Sequence, residues 1–203
     1  MLDSVLRPKI DPPLAFLAGW FASIGVHANH VTFIGLALGL GAAAAIAWEK
    51  MALGLVLILA SRLADGLDGA IARINGKTEF GGYLDIMADF TFYAAIPVAF
   101  AVAIPSAQWP ALLLVASFLL SGTSFMAAAL VAKSQGWETR AQGEKSFYYL
   151  AGLAEGTETI VFFVAFCIFP DWFSTLASIF AGLCLLTALG RTLVVRSMLG
   201  RPE

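Results

Sequence analysis

The sequence predicts an all-α integral membrane protein with six transmembrane helices and, ahead of them, an N-terminal interfacial helix. Three observations carry this. The 203 residues are 60% hydrophobic and 13% charged, against roughly 45–50% and about 25% in an ordinary soluble domain. Six apolar stretches recur, over residues 31–47, 51–64, 83–104, 109–132, 148–169 and 172–195. Lys and Arg, finally, fall almost wholly on one side of the alternating loops that six crossings create.

Taken in order, residues 1–13, MLDSVLRPKIDPP, are polar and broken by proline. They lack the basic start and short apolar core of a cleavable leader and read as a mature N-terminus. Residues 14–21, LAFLAGWF, are too few to span and carry aromatic side chains, which places them along the interface as a short helix. Most of the six stretches approach the roughly 20 residues that cross hydrocarbon; the second does so by running through its polar end to about residue 74. The connections WEK, PSAQWP and PDW are short turns. The division is therefore a cytoplasmic N-terminal segment, residues 1–30, and one six-helix domain, residues 31–203.

Orientation follows from the preference of Lys and Arg for cytoplasmic loops. With the N-terminus inside, Arg7, Lys9, Arg62, Arg73, Lys77, Lys133, Arg140, Lys145, Arg191, Arg196 and Arg201 lie on the inner side and Lys50 outside. Both termini and the loops after the second and fourth spans are then cytoplasmic. A net charge of -2 says little about partners, and no basic run is dense enough to suggest nucleic acid. Cys167 and Cys184 sit inside spans without partner spacing and read as small packing residues.

Chemistry concentrates in one place. The second stretch ends in DGLDGAIAR, residues 65–73, and the third opens with GGYLDIMAD, residues 81–89. Asp65 and Asp68 are three apart and Asp85 and Asp89 four apart, so each pair shares one helix face. The hairpin between them turns the two helices antiparallel, and both faces can converge at one membrane depth. Four carboxylates in a low-dielectric place would take up protons unless cations compensate. An all-carboxylate donor set selects hard divalent ions, Mg²⁺ or Mn²⁺, over zinc, and four aspartates suit a two-metal site clamping phosphate oxygens. Gly66 and Gly69 leave room for a phosphate chain, and Arg73 offers it a fork of donors. A solvated cap explains one aspartate at a helix end, but not four paired on adjacent helices.

These residues resemble the signature of the CDP-alcohol phosphatidyltransferase family, D-x-x-D-G-x-x-A-R, a spacer, then G-x-x-x-D-x-x-x-D. Asp65, Asp68, Gly69, Ala72, Arg73, Gly81, Asp85 and Asp89 supply every signature letter, with a seven-residue spacer one shorter than usual. Asn29 and Thr32 are similar to the family's N-x-x-T element. The resemblance implies transfer of a phosphatidyl group from CDP-diacylglycerol to a small alcohol with release of CMP, at the cytoplasmic side of a bacterial inner membrane. It implies that Asp65, Asp68 and Asp85 ligate one metal and that Asp65, Asp85 and Asp89 contribute to the second. Asp89 is also the implied base for the acceptor hydroxyl. Arg73 and the Gly69 backbone would hold the diphosphate, with Asn29, Thr32 and Gly81 near the nucleotide, and a homodimer is implied by resemblance alone.

Other conspicuous residues are left open. Glu155 and Glu158 fall in GLAEGTETI, where many family members carry an E-R-P-E-R-like stretch; Gly156 and Thr159 stand here in place of its arginines. Lys133, Arg140 and Lys145 could replace that charge or simply be inner-side residues near lipid headgroups. His27 and His30 need no ligand role at an interface. Arg62 either neutralises the acid cluster or makes a structural ion pair. Gly35 and Gly39 form a G-x-x-x-G that reads as packing within the chain. The alternative function is a small ion-coupled transporter, but such sites lie near the bilayer midplane, and these acids cluster at one end of their helices.

Overall fold

The structure, a computed structural model, describes residues 3–135, 154 and 156–200. Among the described residues seven helices follow one another: α1 (Asp3–Ser23), α2 (Ala28–Ala47), α3 (Met51–Asn75), α4 (Glu79–Ala103), α5 (Gln108–Ser134), α6 (Gly156–Ile168) and α7 (Phe173–Leu199). Short 3₁₀ turns, Pro105–Ala107 and Pro170–Trp172, precede α5 and α7. No strand occurs among the described residues, and the all-α membrane class is borne out.

Among the described residues four segments are long and apolar enough to cross a membrane: Ala28–Ala47, Glu79–Ala103, Pro105–Ser134 and Pro170–Leu199. The other two expected spans differ for separate reasons. Helix α3 has the length, 25 residues, but Arg62, Asp65, Asp68 and Arg73 make its C-terminal half polar. Helix α6 is described over 13 residues, and the residues before it, where the sequence starts the fifth span at 148, lie outside the described residues.

The expected interfacial helix over 14–21 is longer than anticipated. Helix α1 passes through Pro12 and Pro13, both exposed. Proline keeps a helical φ, and in an exposed turn water can serve the carbonyls left without an N–H. Leu14 and Ala18 are buried against α3, joined by Val31, Ala64, Ala70 and Ile71, while Phe16 and Trp20 face outward.

Helix α2 packs on both α3 and α4, α5 packs on α7 and α4, and α6 bridges α3 and α7. Close approach depends on small residues. A Cβ on Gly35 would come 3.2 Å from Ala64 Cβ, and one on Gly39 would stand 2.7 Å from Phe92 Cδ2. The G-x-x-x-G stretch is thus spent inside the chain, as the sequence indicated. Ser61 Oγ donates to the Gly35 carbonyl at 2.7 Å and locks α3 to α2.

The core is aromatic. Phe92, Phe100, Phe163, Phe166, Phe173 and Phe180 are fully buried; Phe100 stacks on Phe173 at 4.5 Å and Phe162 on Phe180 at 4.3 Å between centroids. Cys167 and Cys184 are free thiols buried in this core. The outward surface is as apolar as the interior, with Val102, Leu119, Leu130 and Leu193 exposed. Against lipid, such a bundle is held by close packing rather than by excluding water.

Candidate active site

A cleft of about 1200 Å³ opens at the end of the bundle where α3 meets α4. Asn29, Thr32, Asp65, Asp68, Gly69, Arg73, Gly81, Asp85 and Asp89, the nine residues singled out in the sequence, all line it. Local sequence explains how they meet. Asp65, Asp68 and Gly69 occupy successive turns of one α3 face. Gly76, at φ 95°, then takes the chain out of the helix in a conformation disfavoured for other residues. Thr78 caps α4: its Oγ1 accepts from the Gly81 N–H at 3.0 Å, and Asp85 and Asp89 follow one and two turns later.

Side-chain space is allotted unevenly around the cleft. A Cβ on Gly81 would lie 2.9 Å from Thr78 Oγ1 and 3.2 Å from Asn29 Oδ1, so glycine there lets Asn29 reach the rim. Asn75 Nδ2 donates to the Val26 carbonyl at 3.3 Å and fastens the hairpin to the turn before α2. Gly69 meets only the Arg73 guanidinium, at 3.7 Å, and stays open to the cleft. Gly66 also serves packing. A Cβ there would stand 2.9 Å from Leu14 Cδ1, so Gly66 makes room for α1 as well as bordering the cleft.

Arg62 bridges the two aspartate pairs. Its Nη1 lies 2.7 Å from Asp89 Oδ1 on α4 and 3.4 Å from Asp65 Oδ1 one turn along α3. Both alternatives left open for Arg62 are thus realised at once: it neutralises part of the cluster, and it ties α3 to α4. Asp68 is the most buried of the four at 5% exposure; its Oδ2 has no hydrogen-bond partner, and Thr32 stands beside its carboxylate.

Among the described residues, no group of three or more His, Cys, Asp or Glu is arranged to hold a metal ion as the structure stands. The donor set nevertheless fits a hard divalent cation. It is all carboxylate oxygen, one guanidinium bridges two of the four aspartates, and the inward Asp68 Oδ2 is unpartnered. Arg62 stands between Asp65 and Asp89, within reach of both.

The remaining residues divide clearly. His27 and His30 line the cleft and pack edge to face at 5.7 Å. Glu158 lies in the first turn of α6, whose Gly156, Thr157, Ile160 and Val161 form a cleft wall. Lys133 ends α5 and is not among the lining residues. Glu155, Arg140 and Lys145 lie outside the described residues. Sequence reasoning missed Lys77 and Tyr93 as lining residues. Lys77 had a signal, since it stands four residues past Arg73 between the motif halves; Tyr93 stands four past Asp89 on the same α4 face.

The sequence pattern of the family described as CDP-alcohol phosphatidyltransferase matches residues 25–189. The inner membrane protein YnjF of Escherichia coli is 41% identical over 196 residues, 94% of this chain and 93% of its own. An archaetidylinositol phosphate synthase of Pyrococcus horikoshii is 36% identical over 87 residues, 42% of this chain and 46% of that enzyme. Among solved structures, the Mycobacterium tuberculosis phosphatidylinositol phosphate synthase in complex with manganese and citrate matches with a TM-score of 0.75 at 19% identity, covering 94% of this chain and 93% of that one. The same enzyme with CDP-DAG bound gives 0.66 at 20% identity, covering 94% and 98%. At such identity the structural likeness speaks for the fold, while the family pattern spans the cleft-forming helices α2–α4 and α6. A motif read from two helix ends, a cleft that gathers all of its residues and a family match across both lead to one conclusion: the chain belongs to the CDP-alcohol phosphatidyltransferase family.

Proposed function

We propose that this protein transfers a phosphatidyl group from CDP-diacylglycerol to a small alcohol acceptor, releasing CMP, at the cytoplasmic face of a bacterial inner membrane. The observation that carries the reading is the convergence of Asn29, Thr32, Asp65, Asp68, Gly69, Arg73, Gly81, Asp85 and Asp89 on one cleft. The inner-membrane location of YnjF and the excess of Lys and Arg at the cleft end support the placement.

In the reaction the acceptor oxygen bonds to the phosphorus carrying the diacylglycerol, and the bond from that phosphorus to the CMP oxygen breaks. Asp89 receives the acceptor proton. Arg73 and Lys77 present donors to the diphosphate, Gly69 leaves the backbone accessible beside it, and Asn29 and Thr32 border the nucleotide. Leu59, Leu63, Ile160 and Val161 give the cleft an apolar wall suited to the lipid part of the substrate. Asp65, Asp68, Asp85 and Asp89 would hold Mg²⁺ or Mn²⁺ in a two-metal site, which when filled supplies charge neutralisation on the phosphoryl oxygens. The manganese in the M. tuberculosis enzyme supports that choice. A homodimer, if formed, must use a face other than Gly35 and Gly39, which are occupied within the chain.

The test offers purified protein CDP-diacylglycerol, Mn²⁺ or Mg²⁺, and alcohols in turn: serine, choline, glycerol phosphate and inositol phosphate. Metal-dependent CMP release with one acceptor, lost in Asp85→Asn, is expected. Silence with every acceptor, from protein that binds neither the nucleotide lipid nor metal, would overturn the reading.

A further inference from the structure

The Arg62 guanidinium is held from several sides. Nη1 contacts Asp89 at 2.7 Å and Asp65 at 3.4 Å. Nη2 donates to Ser61 Oγ at 3.2 Å, and that hydroxyl is itself committed to the Gly35 carbonyl at 2.7 Å. The Phe92 ring lies under the guanidinium at 4.1 Å, and the side chain is 14% exposed. Phe92 in turn is set by Gly39, which has no side chain to push the ring away. Arginine does not lose its proton in proteins. Stacked on a ring and largely out of water, this one is a fixed positive charge whose position is set by α2, α3 and α4 together.

One nitrogen is thus shared between carboxylates of two helices. The aspartate cluster is therefore not uniform. Asp65 and Asp89 already have a counter-charge, whereas Asp68 keeps a buried oxygen without a partner. A divalent ion reaching the Asp68 side finds a carboxylate oxygen, Oδ2, that has no partner and no cation to displace. An ion reaching Asp65 and Asp89 must first separate a charge-assisted pair.

We propose that Arg62 is a built-in counter-cation that competes with divalent metal for Asp65 and Asp89, so that the carboxylate cluster fills unequally. The position that uses Asp68 is the tighter one, and the position that needs Asp89, the nearer partner of Arg62 at 2.7 Å, fills as Arg62 gives way. This rests on the metal-dependent reading above. A purely structural Arg62 makes the opposite prediction, since losing it would loosen the α3–α4 contact and weaken every metal position.

The experiment is Mn²⁺ titration of the full-length, metal-stripped protein without substrate, following free Mn²⁺ by electron paramagnetic resonance. Wild type should show a tighter and a weaker class. Arg62→Met removes the charge and keeps an unbranched side chain, and it should tighten the weaker class by about tenfold. Arg62→Lys keeps a charge without the fork or the ring stack and should fall between the two. It decides the matter if the Met variant does not survive metal removal: affinity above wild type supports the proposal, and affinity at or below it does not. Two equal classes in wild type, or unchanged or weaker binding in Arg62→Met, would overturn the competition while leaving a metal site in place. No Mn²⁺ binding by wild type or any variant would overturn both the competition and the metal-dependent reading.

Discussion

Asn29 and Gly81 meet across the cleft rim: the Asn29 side-chain oxygen stands 3.2 Å from where a Cβ on Gly81 would be. A residue at the start of α2 and one in the first turn of α4 are thereby matched in size. Gly81→Ala improves helix propensity by up to about 1 kcal/mol but pushes on both Asn29 and Thr78. Thermal unfolding should therefore move little, while kcat/KM for CDP-diacylglycerol falls by about tenfold or more, the scale set by misplacing a binding group. An unchanged kcat/KM would remove Asn29 from the substrate's surroundings.

Gly39 controls a different contact. A Cβ there would stand 2.7 Å from Phe92 Cδ2, against a ring that is fully buried and lies under Arg62. Gly39→Ala should destabilise the protein by about 1–3 kcal/mol, the usual consequence of overpacking. Adding Phe92→Leu should recover part of that loss, because the smaller side chain makes space. The measurement is the unfolding midpoint in detergent for both single variants and the double. A strictly additive pair would show that the two positions do not press on each other.

Thr78 and the Gly81 N–H form the α4 cap at 3.0 Å. Thr78→Ala should cost about 1 kcal/mol, and Thr78→Ser should cost much less because the hydroxyl remains. The same unfolding assay distinguishes them.

Much of this site could be read from the chain itself. The spacings 65–68 and 85–89 placed each pair on one face, and a short hairpin had to bring the faces together. The role of Arg62 was half visible: i to i+3 spacing gave the link to Asp65, but the link to Asp89 depends on the register of α4 against α3. That register follows from how α3 and α4 each seat on α2, through contacts such as Gly35 with Ala64 and Gly39 with Phe92; the glycine spacing shows that helices approach there, but not which residues they meet. Gly66 shows a related limit. Spacing shows that a glycine sits near the carboxylates, but not that it also makes room for Leu14 of a neighbouring helix. The extent of α1 was hidden because Pro12 and Pro13 argue locally against helix, whereas burial of Leu14 and Ala18 on α3 favours it.

Leu14 provides a test of that packing. It is buried between α1 and Gly66, and Leu14→Ala should weaken the seating of α1 by about 2–4 kcal/mol. Limited proteolysis in the turn at residues 24–27 should accelerate, with the α2–α7 body remaining intact. Equal cleavage rates in the variant and wild type would show that α1 is held by something other than this contact.

The measurement that bears most directly on the central claim is the identity of the lipid product, read by mass spectrometry after incubation with CDP-diacylglycerol, divalent metal and one acceptor. The account predicts a lipid whose mass is the phosphatidyl group joined to that acceptor, formed together with CMP and absent with Asp85→Asn. Phosphatidic acid and CMP as the sole products, with every acceptor offered, would mean that water is the acceptor and would contradict transfer to an alcohol.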